Sequence, residues 1–235
     1  MAEIALVQPP EPAERWDLAK QMGVTSAVGR LPPTDGDTDP WEFEPLLDMK
    51  NQFADAGLSL DVFENRPPMD DVILGRPGRD EQIANVKTLL RNLGRIDVGV
   101  YCWIWMAPLT VLRTSRSVRG RGGSLTTRYN HAEMQRGPAV EEAVPEADLW
   151  GNLEYFLDEV VPVAEDAGVK MALHPDDPPT SPIRGQDRIV TSVENYDRIL
   201  DLHPSDHHGI TFCQGNFAAM GADVPGAIRH FGDAI

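Results

Sequence analysis

Apolar residues along this chain follow two rhythms that take turns. Six short runs have the length and density of buried strands, at residues 4–7, 25–28, 58–63, 98–103, 171–174 and 209–213. After each comes a stretch whose apolar positions recur at helical spacing, with the strong cases at 14–22, 41–56, 79–93, 148–167, 192–202 and 224–231. The cleanest is 148–167, where Leu149, Leu153, Phe156, Leu157, Val160 and Ala164 share one face and Pro162 is expected to bend the axis. Gly57 and Gly94 stand where the second and third helical stretches end, as helix-terminating glycines do.

Strand followed by helix, repeated, predicts an α/β fold around a parallel sheet. The count is about six strand–helix units, and a closed TIM-type (β/α) barrel has eight. The expectation is therefore a single domain over residues 1–235, built as an incomplete (β/α) barrel. One connection is out of proportion, running from about 104 to 147, and it carries Arg113, Arg116, Arg119, Arg121 and Arg128. Long loops in compact domains are usually functional or disordered. This one reads either as a solvated surface loop or as a lid that binds anions through guanidinium groups. Gly120, Gly122 and Gly123 are no dinucleotide fingerprint, because no strand runs into them and no helix follows.

Composition narrows the partners. A formal net charge of −16 over 235 residues, with few lysines, repels nucleic acid and anionic membrane surfaces. Such a surface also suits a high-salt cytoplasm. No run is long enough to span a bilayer and the N-terminus does not read as a signal peptide, so the expected location is cytoplasmic. Cys102 and Cys213 are read as free thiols in a chain that depends on its core.

The chemistry gathers at the ends of the last two strands. Met171-Ala172-Leu173-His174 stops at Pro175, Asp176 and Asp177, and Gly209-Ile210-Thr211-Phe212-Cys213 stops at Gln214, Gly215 and Asn216. Imidazole and thiolate at the same end of neighbouring strands suit a borderline metal such as manganese, iron or zinc better than magnesium or calcium. A catalytic site usually has three or more protein ligands, so at least one more is required. Glu64, ending the third strand, is a further candidate for the site. Together with Arg113, Asp176, Gln214 and Asn216, it forms the expected set of substrate contacts. His203, His207 and His208 precede the sixth strand and should lie on the opposite rim, in a structural or surface role.

The segment from Val161 to Pro179, with Gly209-Ile210-Thr211-Phe212-Cys213-Gln214-Gly215-Asn216, resembles the mannonate dehydratase family. Supporting likeness runs through 79–94, 112–123 and 227–232. The resemblance implies a xylose-isomerase-like barrel that removes water from D-mannonate to give 2-keto-3-deoxygluconate in hexuronate breakdown. It also implies Mn2+ or Fe2+ held by His174 and Cys213. The family's other two ligands and its acid/base residues would lie beyond Ile235, so no catalytic residue is assigned here. The implied partner is a small sugar acid, with neither nucleic acid nor membrane, and self-association through the open side of the sheet is expected. The alternatives are a metal-dependent sugar isomerase or epimerase on the same barrel, and a truncated chain inactive by itself.

Overall fold

A computed structural model describes residues 3–235. In chain order the elements begin with β1 (Ala5–Val7), α1 (Glu14–Gln21), β2 (Ser26–Gly29), α2 (Phe43–Asp55), β3 (Ser59–Glu64), α3 (Asp70–Ile73), α4 (Arg79–Arg95) and β4 (Val100–Ile104). A hairpin of β5 (Ser115–Arg119) and β6 (Leu125–Arg128) follows, then α5 (His131–Met134) and α6 (Glu146–Ala167). The chain continues through β7 (Lys170–His174), α7 (Val193–Leu202), β8 (His208–Ile210), α8 (Gln214–Ala219) and α9 (Val224–Phe231). All six strands expected from the apolar pattern form one parallel sheet, in the order β1-β2-β3-β4-β7-β8.

Strand parity decides what each face does. Tyr101, Trp103, Met171 and Leu173 point one way and are almost fully buried. They pack beneath the helices, with Trp103 and Trp105 both against Phe156 of α6. The alternate residues Val62, Glu64, Val100, Cys102, Lys170, Ala172, Gly209 and Thr211 line the other, concave face. Register ties them together: Glu64 pairs with Cys102, Cys102 with Ala172, and Ile104 with His174. Because side chains alternate with a period of two, His174 shares this face with Cys102 and Glu64.

Several boundaries differ from the sequence reading. α4 does not stop before Gly94 but runs through it to Arg95. Gly94 is a point of close approach: a Cβ there would stand 2.4 Å from the carbonyl oxygen of Ala167 at the end of α6. α6 itself continues through Pro162 for 22 residues and ends on Gly168 at φ +68°. The connection after β4 is not structureless. It holds the antiparallel hairpin β5–β6 and the short α5, and Arg116, Arg119, Arg121 and Arg128 are exposed on it. From residue 98 to 132 there is no aspartate or glutamate, so the hairpin is a basic projection on an acidic body. The last strand is shorter than expected and ends at Ile210, three residues before Cys213.

On the opposite rim, His208 opens β8 and is buried rather than lying in a surface loop. Its Nδ1 lies 3.1 Å from the carbonyl oxygen of His203, which can only accept, so Nδ1 carries the proton. Nε2 is buried without a partner. Protonating it would place an unpaired N–H in the core, and burial accordingly holds this imidazole below its usual pKa. The native state thus keeps His208 neutral while the unfolded chain takes up a proton below about pH 6.5. Stability from this group is complete above that pH and falls as the solution is acidified toward the depressed native value. Urea midpoints measured between pH 7 and pH 5 should fall less steeply in His208→Gln than in the unaltered protein. Parallel curves would show that His208 does not contribute.

Candidate metal centre

His174 is the last residue of β7, and Cys213 caps the start of α8 just past β8. Tyr196 of α7 holds the strand end by donating its hydroxyl to the Leu173 carbonyl at 3.0 Å. Thr211 Oγ1 lies 3.0 Å from the Ala172 carbonyl oxygen and 3.1 Å from Cys102 Sγ, which ties the chain beyond β8 to β7 and β4. The imidazole of His174 and the thiol of Cys213 lie close enough for each to shift the other's pKa.

The protonation pattern suits a ligand pair. His174 Nδ1 lies 2.7 Å from the carbonyl oxygen of Pro175 and must donate to it, which leaves the Nε2 lone pair free. The neighbouring His174 imidazole lowers the pKa of Cys213, and the backbone amides of Asn216 and Gly215 add to the effect against the cost of burial. Burial alone would lower the pKa of His174. The thiol beside it and the Pro175 carbonyl outweigh that and raise it. Cys102, also on the concave face, is the opposite case, with burial pushing its thiol up to about 11.

Two further ionic pairs fix the loop that follows His174. Asp176 is fully buried, and its carboxylate accepts from the Val190 amide at 2.9 Å and faces the Arg188 guanidinium at 3.6 Å. Burial, against the pull of Arg188, raises the Asp176 pKa to about 6. Arg188 also donates to the carbonyls of Leu109 at 2.6 Å, Thr110 at 2.9 Å and Pro178 at 3.4 Å. Arg113 grips Asp177 with two parallel bonds of 2.6 and 2.7 Å. The loops after β4 and β7 are therefore stapled together beside His174. Arg188 gave no motif in the sequence, since a lone arginine between polar residues looks like surface.

Beside His174 lies a cavity of about 310 Å³, lined by Arg30, Glu64, Asn65, Arg66, Cys102, Trp103, Ile104, Val111, His174 and Asp177. Of the expected substrate contacts, Glu64 is on its wall. Arg113 is consumed by Asp177, so as placed it is a brace and not a free clamp. Asp176 exposes no atom and is likewise a brace. Gln214 is exposed, Asn216 is buried, and neither lines this cavity. Among the described residues no group of three or more His, Cys, Asp or Glu side chains is placed to hold a metal. No helix among the described residues is long and apolar enough to cross a membrane.

A sequence model of the family D-mannonate dehydratase (UxuA) matches residues 15–143 and 139–235. The chain belongs to the D-mannonate dehydratase family. It is 36% identical over 217 residues to mannonate dehydratase 2 of Halalkalibacterium halodurans, covering 82% of this chain and 63% of that protein. It is 35% identical over 225 residues to mannonate dehydratase of Streptococcus pneumoniae, covering 84% of this chain and 60% of that protein. The crystal structure of mannonate dehydratase from Streptococcus suis serotype 2 superposes with a TM-score of 0.87 at 31% identity, over 97% of this chain and 68% of that one. The chain thus spans 60–63% of the length of those two curated relatives. D-psicose 3-epimerase from Clostridium cellulolyticum H10 shares the fold at a TM-score of 0.63 and 14% identity.

Proposed function

We propose that this chain carries half of the metal site of an enzyme that dehydrates D-mannonate to 2-keto-3-deoxygluconate. The observation that carries the reading is an imidazole whose Nε2 lone pair is left free at the end of β7, beside a thiol of lowered pKa three residues past β8. A soft sulfur beside a borderline nitrogen suits Mn2+ or Fe2+, and the remaining ligands would come from outside the described residues. When bound, a divalent ion supplies a Lewis acid for negative charge that develops on the substrate carboxylate.

The reaction removes the proton at C2, next to the carboxylate, and the hydroxyl at C3. Water leaves, and the enol that remains becomes the 2-keto acid. This chain's own residues prepare the site. Pro175 fixes the tautomer of His174, the amides of Gly215 and Asn216 favour the Cys213 thiolate, and the Arg113–Asp177 and Arg188–Asp176 pairs hold both loops in place. Glu64, at the cavity wall, accepts substrate hydroxyls. The acid and the base are not assigned to any residue of this chain.

The test is an assay of a protein extended through the coding sequence to the length of its relatives, with manganese supplied. Formation of a 2-keto-3-deoxy acid from D-mannonate supports the reading. Interconversion of ketoses without loss of water replaces it with an isomerase or epimerase. Inactivity of both kinds would leave the chain a non-catalytic member of its family.

A further inference from the structure

The cavity beside His174 has one pair of charged side chains still open to a ligand. Arg113 is bound by Asp177, and Arg66 donates to the Met106 carbonyl at 2.9 Å and to Asp70. Arg30 and Glu64 touch each other through one contact, Nη2 to Oε1 at 2.8 Å, and their side chains are 50% and 38% exposed. Exposed pairs of this kind add little to stability, so their position calls for another account. Both line the same cavity as Cys102 and His174, which places them at the concave face. The residue after Glu64, Asn65, stands at φ +147°, a conformation that non-glycine residues keep only where the surroundings hold it.

Strand order sets their distance from the metal ligands. Arg30 follows β2 and His174 ends β7, with β3 and β4 between them. Glu64 ends β3, two strand spacings or about 10 Å along the sheet from β7, and side chains that point into the concave face converge across that span. Trp103, Ile104 and Val111 also line the cavity and offer no charge. We infer that Arg30 and Glu64 form a diol subsite that reads the hydroxylated tail of the substrate, at the far end of the cavity from His174. The carboxylate accepts hydrogen bonds from two neighbouring hydroxyls, and the guanidinium donates to the same oxygens. A six-carbon sugar acid anchored by its carboxyl end reaches toward this pair, and a four-carbon one stops short.

The inference rests on the proposed function, and its test separates the two. Isothermal titration of the manganese-loaded full-length protein with each acid reports occupancy. The protein should bind D-mannonate about tenfold or more tightly than L-erythronate, which has the same configuration at C2 and C3 and two carbons fewer. Glu64→Gln and Arg30→Met should each bring that ratio to within about twofold by weakening mannonate alone. An unchanged ratio, equal weakening of both acids, or no discrimination by the unaltered protein would overturn the subsite. If mannonate is still dehydrated in that case, the proposed function stands without it. Absence of product from the unaltered protein, with the ratio behaving as stated, would sink the function and leave the subsite.

Discussion

Alanine at either His174 or Cys213 should lower manganese affinity of the full-length protein at least about 100-fold, since losing an outer partner alone typically costs 10–100-fold. The two side chains stand close enough for each to shift the other's pKa, and His174 keeps its Nε2 lone pair free. Loss of both should exceed loss of either, because each single variant keeps the other donor. His174→Ala leaves the Pro175 carbonyl without its donor, a local change on a loop that Arg188 and Arg113 still brace. Melting temperature should fall only slightly, which separates lost ligation from lost fold. Metal analysis after dialysis, beside a far-ultraviolet spectrum, checks both points. Full metal retained by both variants would remove this centre from the protein.

Arg188→Met should destabilise the fold by about 3–5 kcal/mol, the usual cost of stripping one partner from a buried ion pair. Arg188 is 5% exposed, and Asp176 beneath it has no exposure at all. Without the guanidinium, the carboxylate loses its counter-charge and the carbonyls of Leu109, Thr110 and Pro178 lose a donor. Adding Asp176→Asn should recover part of the loss, since the amide removes the stranded charge and leaves a smaller polar deficit. Urea unfolding of the single and double variants gives the coupling directly. Equal midpoints for the unaltered protein and Arg188→Met would mean that the pair does not brace the loops.

The sheet was legible because its signal is dense. Runs such as 98–103 and 171–174 are apolar on both faces, as parallel strands covered on both sides must be. Helix α6 was legible because its apolar stripe spans several turns. Gly94 misled, because a glycine that admits a neighbouring backbone looks in one dimension like one that ends a helix. The hairpin β5–β6 was hidden for a related reason: every residue of β6 is exposed, so it has no apolar alternation to read.

The ends of the last two strands stand out at His174 and Cys213 because each ends an apolar run with an abrupt change of chemistry. Arg113 and Asp176 were found in the right neighbourhood with the wrong task. Whether a charged residue meets ligand or another residue depends on pairings between loops 64 residues apart for Arg113 and Asp177. Arg30 lies in a proline- and glycine-rich loop, and only the adjacency of β2 and β3 brings it to Glu64.

The acid-free stretch from 98 to 132 bears on how an anion could arrive. A body with a net charge of −16 pushes anions away, yet the arginine hairpin projects from the end of β4, on the rim where β7 delivers His174. Near that rim the arginines oppose the field of the acidic body, so the repulsion met by an approaching anion is weaker there than elsewhere. Encounter then becomes less sensitive to ionic strength than the overall charge would suggest: added salt screens the arginines even as it relieves the repulsion from everywhere else.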